Sequence, residues 1–296
     1  MTNKTLIFFL IFFHLITFNL YGNEQISFDV TEIEILDGGN KIIGKNRGII
    51  NSNDGITIEA DEFEYDKIKN ILKAKGNILV IDQTNNNNFS GQNIIYNLND
   101  ERIELKDKVK VSIDNNYKFS AQNIKILRND MIISSDVGAT IIDDINQTRY
   151  EIGKFSYSLK EETLKGEKIF ISTKYKQPFS DKYFFKSAIF NLKNQNYIAQ
   201  DINIDFKKNL FGNKNNDPRF KGLSSSSKDG ITTINKGVFT SCKKNDGCPP
   251  WTIQADKITY DQNKKLINYD NAFVKIYDVP VLYFPKFFHP GPTVKR

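Results

Sequence analysis

Through most of the chain, apolar and polar residues alternate with a period of two, in runs broken by clusters of Asp, Asn and Lys. Phe63 and Tyr65 lead into the polar stretch Asp66-Lys67-Ile68-Lys69-Asn70, which gives way to Leu72, Ala74, Ile78 and Val80. The pattern returns as Ile94 and Tyr96, the stretch Asn97-Leu98-Asn99-Asp100, then Ile103, Leu105, Val109 and Val111. Alternation of this kind with turn residues between runs predicts half-buried antiparallel strands. Ile, Val, Phe and Tyr suit such a pleated surface. No window of helical length shows an apolar stripe.

The runs are copies of one another. Ile58-Glu59-Ala60-Asp61-Glu62-Phe63-Glu64-Tyr65 resembles the stretches ending at Tyr96, Ile126 and Tyr260, with looser copies ending at Tyr157 and Phe190. The end positions lie 31, 30, 31, 33 and 70 residues apart, so the last interval holds about two periods. A single strand pair cannot bury its apolar face, whereas stacked pairs share one core. The fold class expected is therefore all-β, with repeated antiparallel strand pairs forming a β-jellyroll or β-roll. The stretch 207–236, rich in Asn, Lys and Ser, reads as a long exposed loop.

The first residues carry an export signal. Lys4 precedes an apolar run from Leu6 to Ile16 that continues to about Leu20, and Gly22 precedes polar Asn23-Glu24-Gln25. A basic start, an apolar run and a small residue before a polar segment describe a signal peptide over 1–22. The run has roughly 15 residues against the ~20 of a spanning helix. The mature chain is expected to begin near Asn23 and to be soluble, exported and disulfide-permissive.

Composition narrows the chemistry. The 296 residues include 23 Phe and 13 Tyr, ample bulk for a core, and 39% are hydrophobic, which excludes general disorder. Two His occur, and only His289 lies outside the signal segment, which argues against His-rich metal centres and a Ser-His-Asp triad. Gly39-Asn40-Lys41-Ile42-Ile43-Gly44-Lys45-Asn46 nearly spells a phosphate-binding loop, but Asn46 stands where Ser or Thr is needed, so a turn between strands is expected. Acids such as Asp61, Glu62, Glu64, Asp143 and Asp144 fall at polar strand positions or in turns, which suits a solvated face better than a glycosidase pair. The net charge of +6 is spread out, unlike a nucleic-acid stripe, and fits an anionic lipid or glycolipid. Cys242 and Cys248 supply too few ligands for zinc. In an oxidising compartment they are expected in a disulfide, with each other or with cysteines elsewhere. In the isolated chain the short loop containing Gly247 favours mutual pairing.

The C-terminal third is more specific. Gly237-Val238-Phe239-Thr240-Ser241-Cys242, Cys248-Pro249-Pro250-Trp251-Thr252-Ile253-Gln254-Ala255, Asp278-Val279-Pro280-Val281-Leu282-Tyr283-Phe284-Pro285 and His289-Pro290-Gly291-Pro292-Thr293-Val294-Lys295-Arg296 resemble the LptD family of lipopolysaccharide-assembly proteins, also called the OstA or organic-solvent-tolerance family. The strand repeats resemble that family's periplasmic β-jellyroll. The family continues into a large outer-membrane barrel beyond the position of Arg296, so the resemblance covers the periplasmic part, as a fragment or a stand-alone domain. In the family Cys242 would match a cysteine that bonds to the barrel, and Pro280 and Pro285 would match the segment leading into it.

The resemblance implies a domain plan: signal peptide 1–22, an N-terminal segment 23–50 leading into the first strands, a periplasmic jellyroll 51–285 with the loop at 207–236, and a connection toward a barrel at 286–296. It implies transport of lipopolysaccharide without bond chemistry and without a cofactor or metal. Acyl chains would lie in an apolar groove lined by Ile58, Phe63, Tyr65, Leu72, Ile78, Ile94, Tyr96, Ile103, Leu105, Val109 and Ile124. The implied partners are lipopolysaccharide, a neighbouring periplasmic jellyroll joined by strand addition, and an outer-membrane lipoprotein where a barrel is present; nucleic acid is not expected. The implied location is the periplasm, on the inner side of the outer membrane. A domain that scaffolds such a bridge without touching lipid is the alternative, using the same residues as a closed core. A polysaccharide-active enzyme would need acids clustered on one exposed strand face, which the sequence does not display.

Overall fold

A computed structural model describes residues 26–113, 117–177, 180–207, 216–244 and 249–290. The expected signal peptide, Cys248 and residues 291–296 lie outside them. The first strands are β1 (Ile26–Leu36), β2 (Lys41–Ser52), β3 (Ile56–Ala60), β4 (Glu62–Asp66), β5 (Ile71–Asp82), β6 (Asn87–Asn97), β7 (Arg102–Ile113), β8 (Tyr117–Leu127), β9 (Ile132–Ser135) and β10 (Ala139–Asp143). Then come β11 (Thr148–Ser158), β12 (Thr163–Thr173), β13 (Lys182–Asn191), β14 (Asn196–Asp205), β15 (Arg219–Lys228), β16 (Ile231–Thr240), β17 (Trp251–Asp261), β18 (Leu266–Ile276) and β19 (Val279–Pro290). The described residues are all-β, with a 3₁₀ turn at Asp37–Gly39.

All strands join one antiparallel sheet in which each pairs with its neighbour in sequence. Segments β3 and β4 are one strand interrupted at Asp61, since both pair with β2 on one side and β5 on the other. Segments β9 and β10 play the same part between β8 and β11. The 31-residue repeat is thus a down strand, an up strand and their two turns. Hairpin turns are made by side chains that capture a backbone amide three residues on: Asp66 accepts from Lys69 N at 3.0 Å, Asp82 from Asn85 N at 3.1 Å and Asp143 from Asn146 N at 2.9 Å. Asn70, Asn86 and Gln147 then turn the chain through positive φ. Asp and Asn suit this because their short polar groups bond locally.

Alternate strands also carry a positive-φ residue at mid-length: Asn46 and Arg47 in β2, Gly76 and Asn77 in β5, Asp107 and Lys108 in β7, Lys168 in β12, Asp201 in β14, Lys236 in β16 and Asn271 in β18. Registers slip at several of these points, between Lys75 and Ile78 and between Lys106 and Val109. Such bulges bend a strand and raise its twist. The bends line up across the sheet and fold it lengthwise, bringing the two ends of the strands face to face. We call the rim with the β2–β3 and β5–β6 turns the first rim, and the rim with the β4–β5, β6–β7 and β8–β9 turns the second. Contacts between the halves prove the fold-back: Phe28, near the first rim, lies 6.0 Å from Tyr65, near the second, centroid to centroid.

Three boundaries differ from expectation. Segment 23–50 already carries β1 and most of β2, and the glycine-bearing stretch 39–46 runs from a turn into β2. The stretch 207–236 is largely a hairpin of β15 and β16, the copy missing from the 70-residue interval. Its inward positions include Ser225, which is 2% exposed, and Gly222, while Leu223 faces outward at 61% exposure. The alternation persists there, with small and polar residues on the inner face. Residues Lys286–Pro290, expected in a connection, complete β19.

Candidate functional site

The inner face of the folded sheet is one continuous apolar cluster from Ile26 to Ala272. All eleven residues expected to line a groove are in it: Ile58, Phe63, Tyr65, Leu72, Ile78, Ile94, Tyr96, Ile103, Leu105, Val109 and Ile124. They point inward because the bends preserve the two-residue period on both sides of each bulge. They are also packed shut. Leu72, Tyr96, Ile103, Leu105 and Val109 are 0% exposed.

The slot is rich in aromatic residues toward its C-terminal strands. From β11 onward Tyr150, Tyr157, Tyr183, Phe190, Tyr197, Phe239, Ile253 and Phe287 pack against the core with surface left over, as Phe28, Leu98 and Tyr117 do in the first strands, while mid-strand Ile169, Ala199 and Ile202 stay closed. The rims approach each other here through rings. Phe185 lies 5.9 Å from Phe190 and 5.9 Å from Tyr197, and Tyr197 hydrogen-bonds Ser225 Oγ at 3.1 Å. Burial, helped by the Asp143 charge, pushes the Tyr150 phenol up to about 12. Burial alone pushes Tyr269 up to about 12. Both hydroxyls therefore stay neutral at any physiological pH. These residues lie outside the sequence-predicted set. The end-of-repeat aromatics at 157 and 190 were visible in the sequence, but nothing in their spacing marks them as only partly buried.

The opposite section is closed by charge. Arg128, just after β8 on the second rim, has a side chain 3% exposed. Its Nε donates to Asp82 Oδ2 at 3.1 Å, and its Nη1 donates to Asp54 Oδ2 at 2.6 Å and to Glu101 Oε2 at 3.2 Å. Its Nη2 donates to the Asp54 carbonyl at 2.9 Å. Asp54 and Asp82 belong to turns of the first rim, Glu101 and Tyr96 to the second. The Tyr96 hydroxyl donates to Asp54 Oδ2, and the Ser52 hydroxyl donates to Asp54 Oδ1. Burial opposes the Asp54 charge, but the hydroxyls of Ser52 and Tyr96 and the Arg128 guanidinium outweigh it and hold the carboxyl below its ordinary range. Sequence reasoning missed this cluster, because its members come from four turns spread over 74 residues.

The last strand presents a different surface. Among the described residues β19 pairs with β18 alone, and Val279, Val281, Leu282, Tyr283, Phe284 and Phe288 are exposed on it. A long apolar edge strand with unpaired backbone groups is a template for further strand pairing. Cys242 is a free thiol whose Sγ lies 3.8 Å from the Trp251 carbonyl oxygen. Its expected partner, Cys248, is outside the described residues. Among the described residues, no helix is long and apolar enough to cross a membrane.

No protein-family model matches the chain, and no curated protein matches it significantly.

Proposed function

We propose that the protein carries the acyl chains of lipopolysaccharide in its folded-sheet slot, within the periplasm, toward the outer membrane. The observation that supports this is the single apolar interior that runs from strand to strand between two sheet edges. A stack of this length buries far more apolar surface than one strand pair needs, and its inner face is contiguous. Acyl chains placed there leave water at about 25 cal/mol per Å² of apolar surface. Phosphate and sugar would stay outside the rims. The exposed apolar β19 would extend the sheet by strand addition to another jellyroll. The export signal and the C-terminal resemblance to lipopolysaccharide-assembly proteins point the same way. The reading involves no bond chemistry.

A second reading is a scaffold domain that holds a transport bridge without touching lipid, favoured by the packing of β3–β8, where most inner side chains are buried and Leu72, Tyr96, Ile103, Leu105 and Val109 have no exposed surface. Extraction of the protein purified from an exporting host separates the two. The conduit reading predicts lipopolysaccharide in the organic extract at a fixed ratio to protein. A lipid-free extract from folded protein favours the scaffold.

A further inference from the structure

We infer that Arg128 is a latch: by tying Asp54 and Asp82 on one rim to Glu101 and Tyr96 on the other, it holds the slot shut over β2–β8 and leaves the aromatic mouth from β11 onward as the place where acyl chains pass between the rims. This rests on the conduit reading above, and the two are tested separately below.

Within an antiparallel meander the two rims are joined only through the bent strands, so the mouth can widen by relaxing the bends. A side chain that spans the mouth opposes that motion. Arg128 spans it with two charge-assisted contacts, to Asp54 at 2.6 Å and Asp82 at 3.1 Å, and a third to the Asp54 carbonyl, while Glu101 on its own rim holds the guanidinium at 3.2 Å. Its planar fork suits several carboxylates at once. Opening would separate a buried cation from its anions, and an uncompensated buried charge is strongly unfavourable. At β13–β14 the rims meet through Phe185, Phe190 and Tyr197, whose contacts with one another can be replaced by contacts with an acyl chain at little cost.

The test uses the full exported chain with Cys242→Ser and Cys248→Ser. Spin labels are placed across the mouth at two levels: Gln83 with Asp130 beside the latch, and Gln177 with Lys193 beside the aromatic section. The latch predicts a narrow distance distribution for the first pair. It predicts marked broadening of that pair in Arg128→Met, which leaves three carboxylates facing one another, and no change in the second pair. Asp82→Asn, which keeps the shape and removes one charge, should broaden the first pair to a smaller degree and keeps the test decisive if Arg128→Met does not fold. A first pair unchanged in the variants would overturn the proposal. A diazirine-bearing palmitate, mapped by peptide mass spectrometry, then reads access. It should label β13–β17 several-fold over β5–β7, and Arg128→Met should even the two out. Equal labelling in the unsubstituted protein would overturn the proposal. Labelling nowhere would count against the conduit reading, while the spin-label distances would still decide the latch.

Discussion

Leu105 and Leu223 carry the same side chain in opposite surroundings. Leu105 is 0% exposed on the inner face of β7, and Leu223 is 61% exposed on the outer face of β15. Truncating a buried leucine loses its transfer energy and leaves a cavity, about 2–5 kcal/mol. Leu105→Ala should therefore lower the urea midpoint substantially, whereas Leu223→Ala should stay within about 0.5 kcal/mol of the parent. Equal effects would contradict the inner and outer assignment. The tyrosines give a pH signature. Tyr150 and Tyr269 ionise near 12 in the folded protein, against 10 ordinarily, mainly because burial disfavours the phenolate. A folded value raised above the unfolded one means that this stability is complete below pH 10 and is lost as pH rises through about 12. Asp54 has the opposite sign. Its folded value lies below the ordinary 3.8, so its contribution is complete above that pH and is lost as pH falls through the depressed value. Equilibrium denaturation across pH should show both flanks. Tyr150→Phe should blunt the alkaline one only.

Strands β1 and β19 lie at the two edges of the sheet, each with a single partner among the described residues. β1 approaches β2 so closely at Gly48 that an added Cβ would sit 2.7 Å from the Asp29 carbonyl oxygen and 2.8 Å from Val30 Cα. Both atoms are backbone, so neither can swing aside. Gly48→Ala should detach β1 and leave the rest of the stack intact, seen as lost amide protection from Ile26 to Leu36 with β5–β8 unchanged. Protection lost throughout would show that β1 is integral to the core. At this scale the sequence was highly legible. The period-two alternation placed all eleven lining candidates from Ile58 to Ile124 on the inner face, though not Phe89 or Phe119, which are buried there too, and the repeat length gave the hairpin unit. It failed at β15, because Ser224–Ser227 look like loop residues and their pairing partners lie on other strands. There Ser225 is held inward by its contact with Tyr197, a tertiary effect that local pattern does not carry. The mid-strand bends were legible only in part, since Gly76 marks a bulge but Lys168, Asp201 and Lys236 do not look like bend residues. Arg128 was not legible at all, because its partners meet only after the sheet folds back.

As a whole the molecule is a lengthwise-folded sheet, ionically tied across its first part, rich in aromatic rings in its second, ending in an exposed apolar edge. Lipid transport asks two things of such a body: an interior that prefers acyl chains to water, and a mouth through which head groups can protrude. Under the proposed function the continuous core would serve as the first, and the half-buried rings from β11 onward as the second. The central claim is that acyl chains occupy this interior in cells, and one measurement addresses it directly. A photo-crosslinking residue is placed at Tyr197 or Phe239 on the aromatic section, and at Lys193 in the exposed β13–β14 turn, in a host that exports the protein and makes lipopolysaccharide. The account predicts lipopolysaccharide adducts at Tyr197 and Phe239 and none at Lys193. Adducts equal at all three positions, or absent from all three in folded protein, would contradict it.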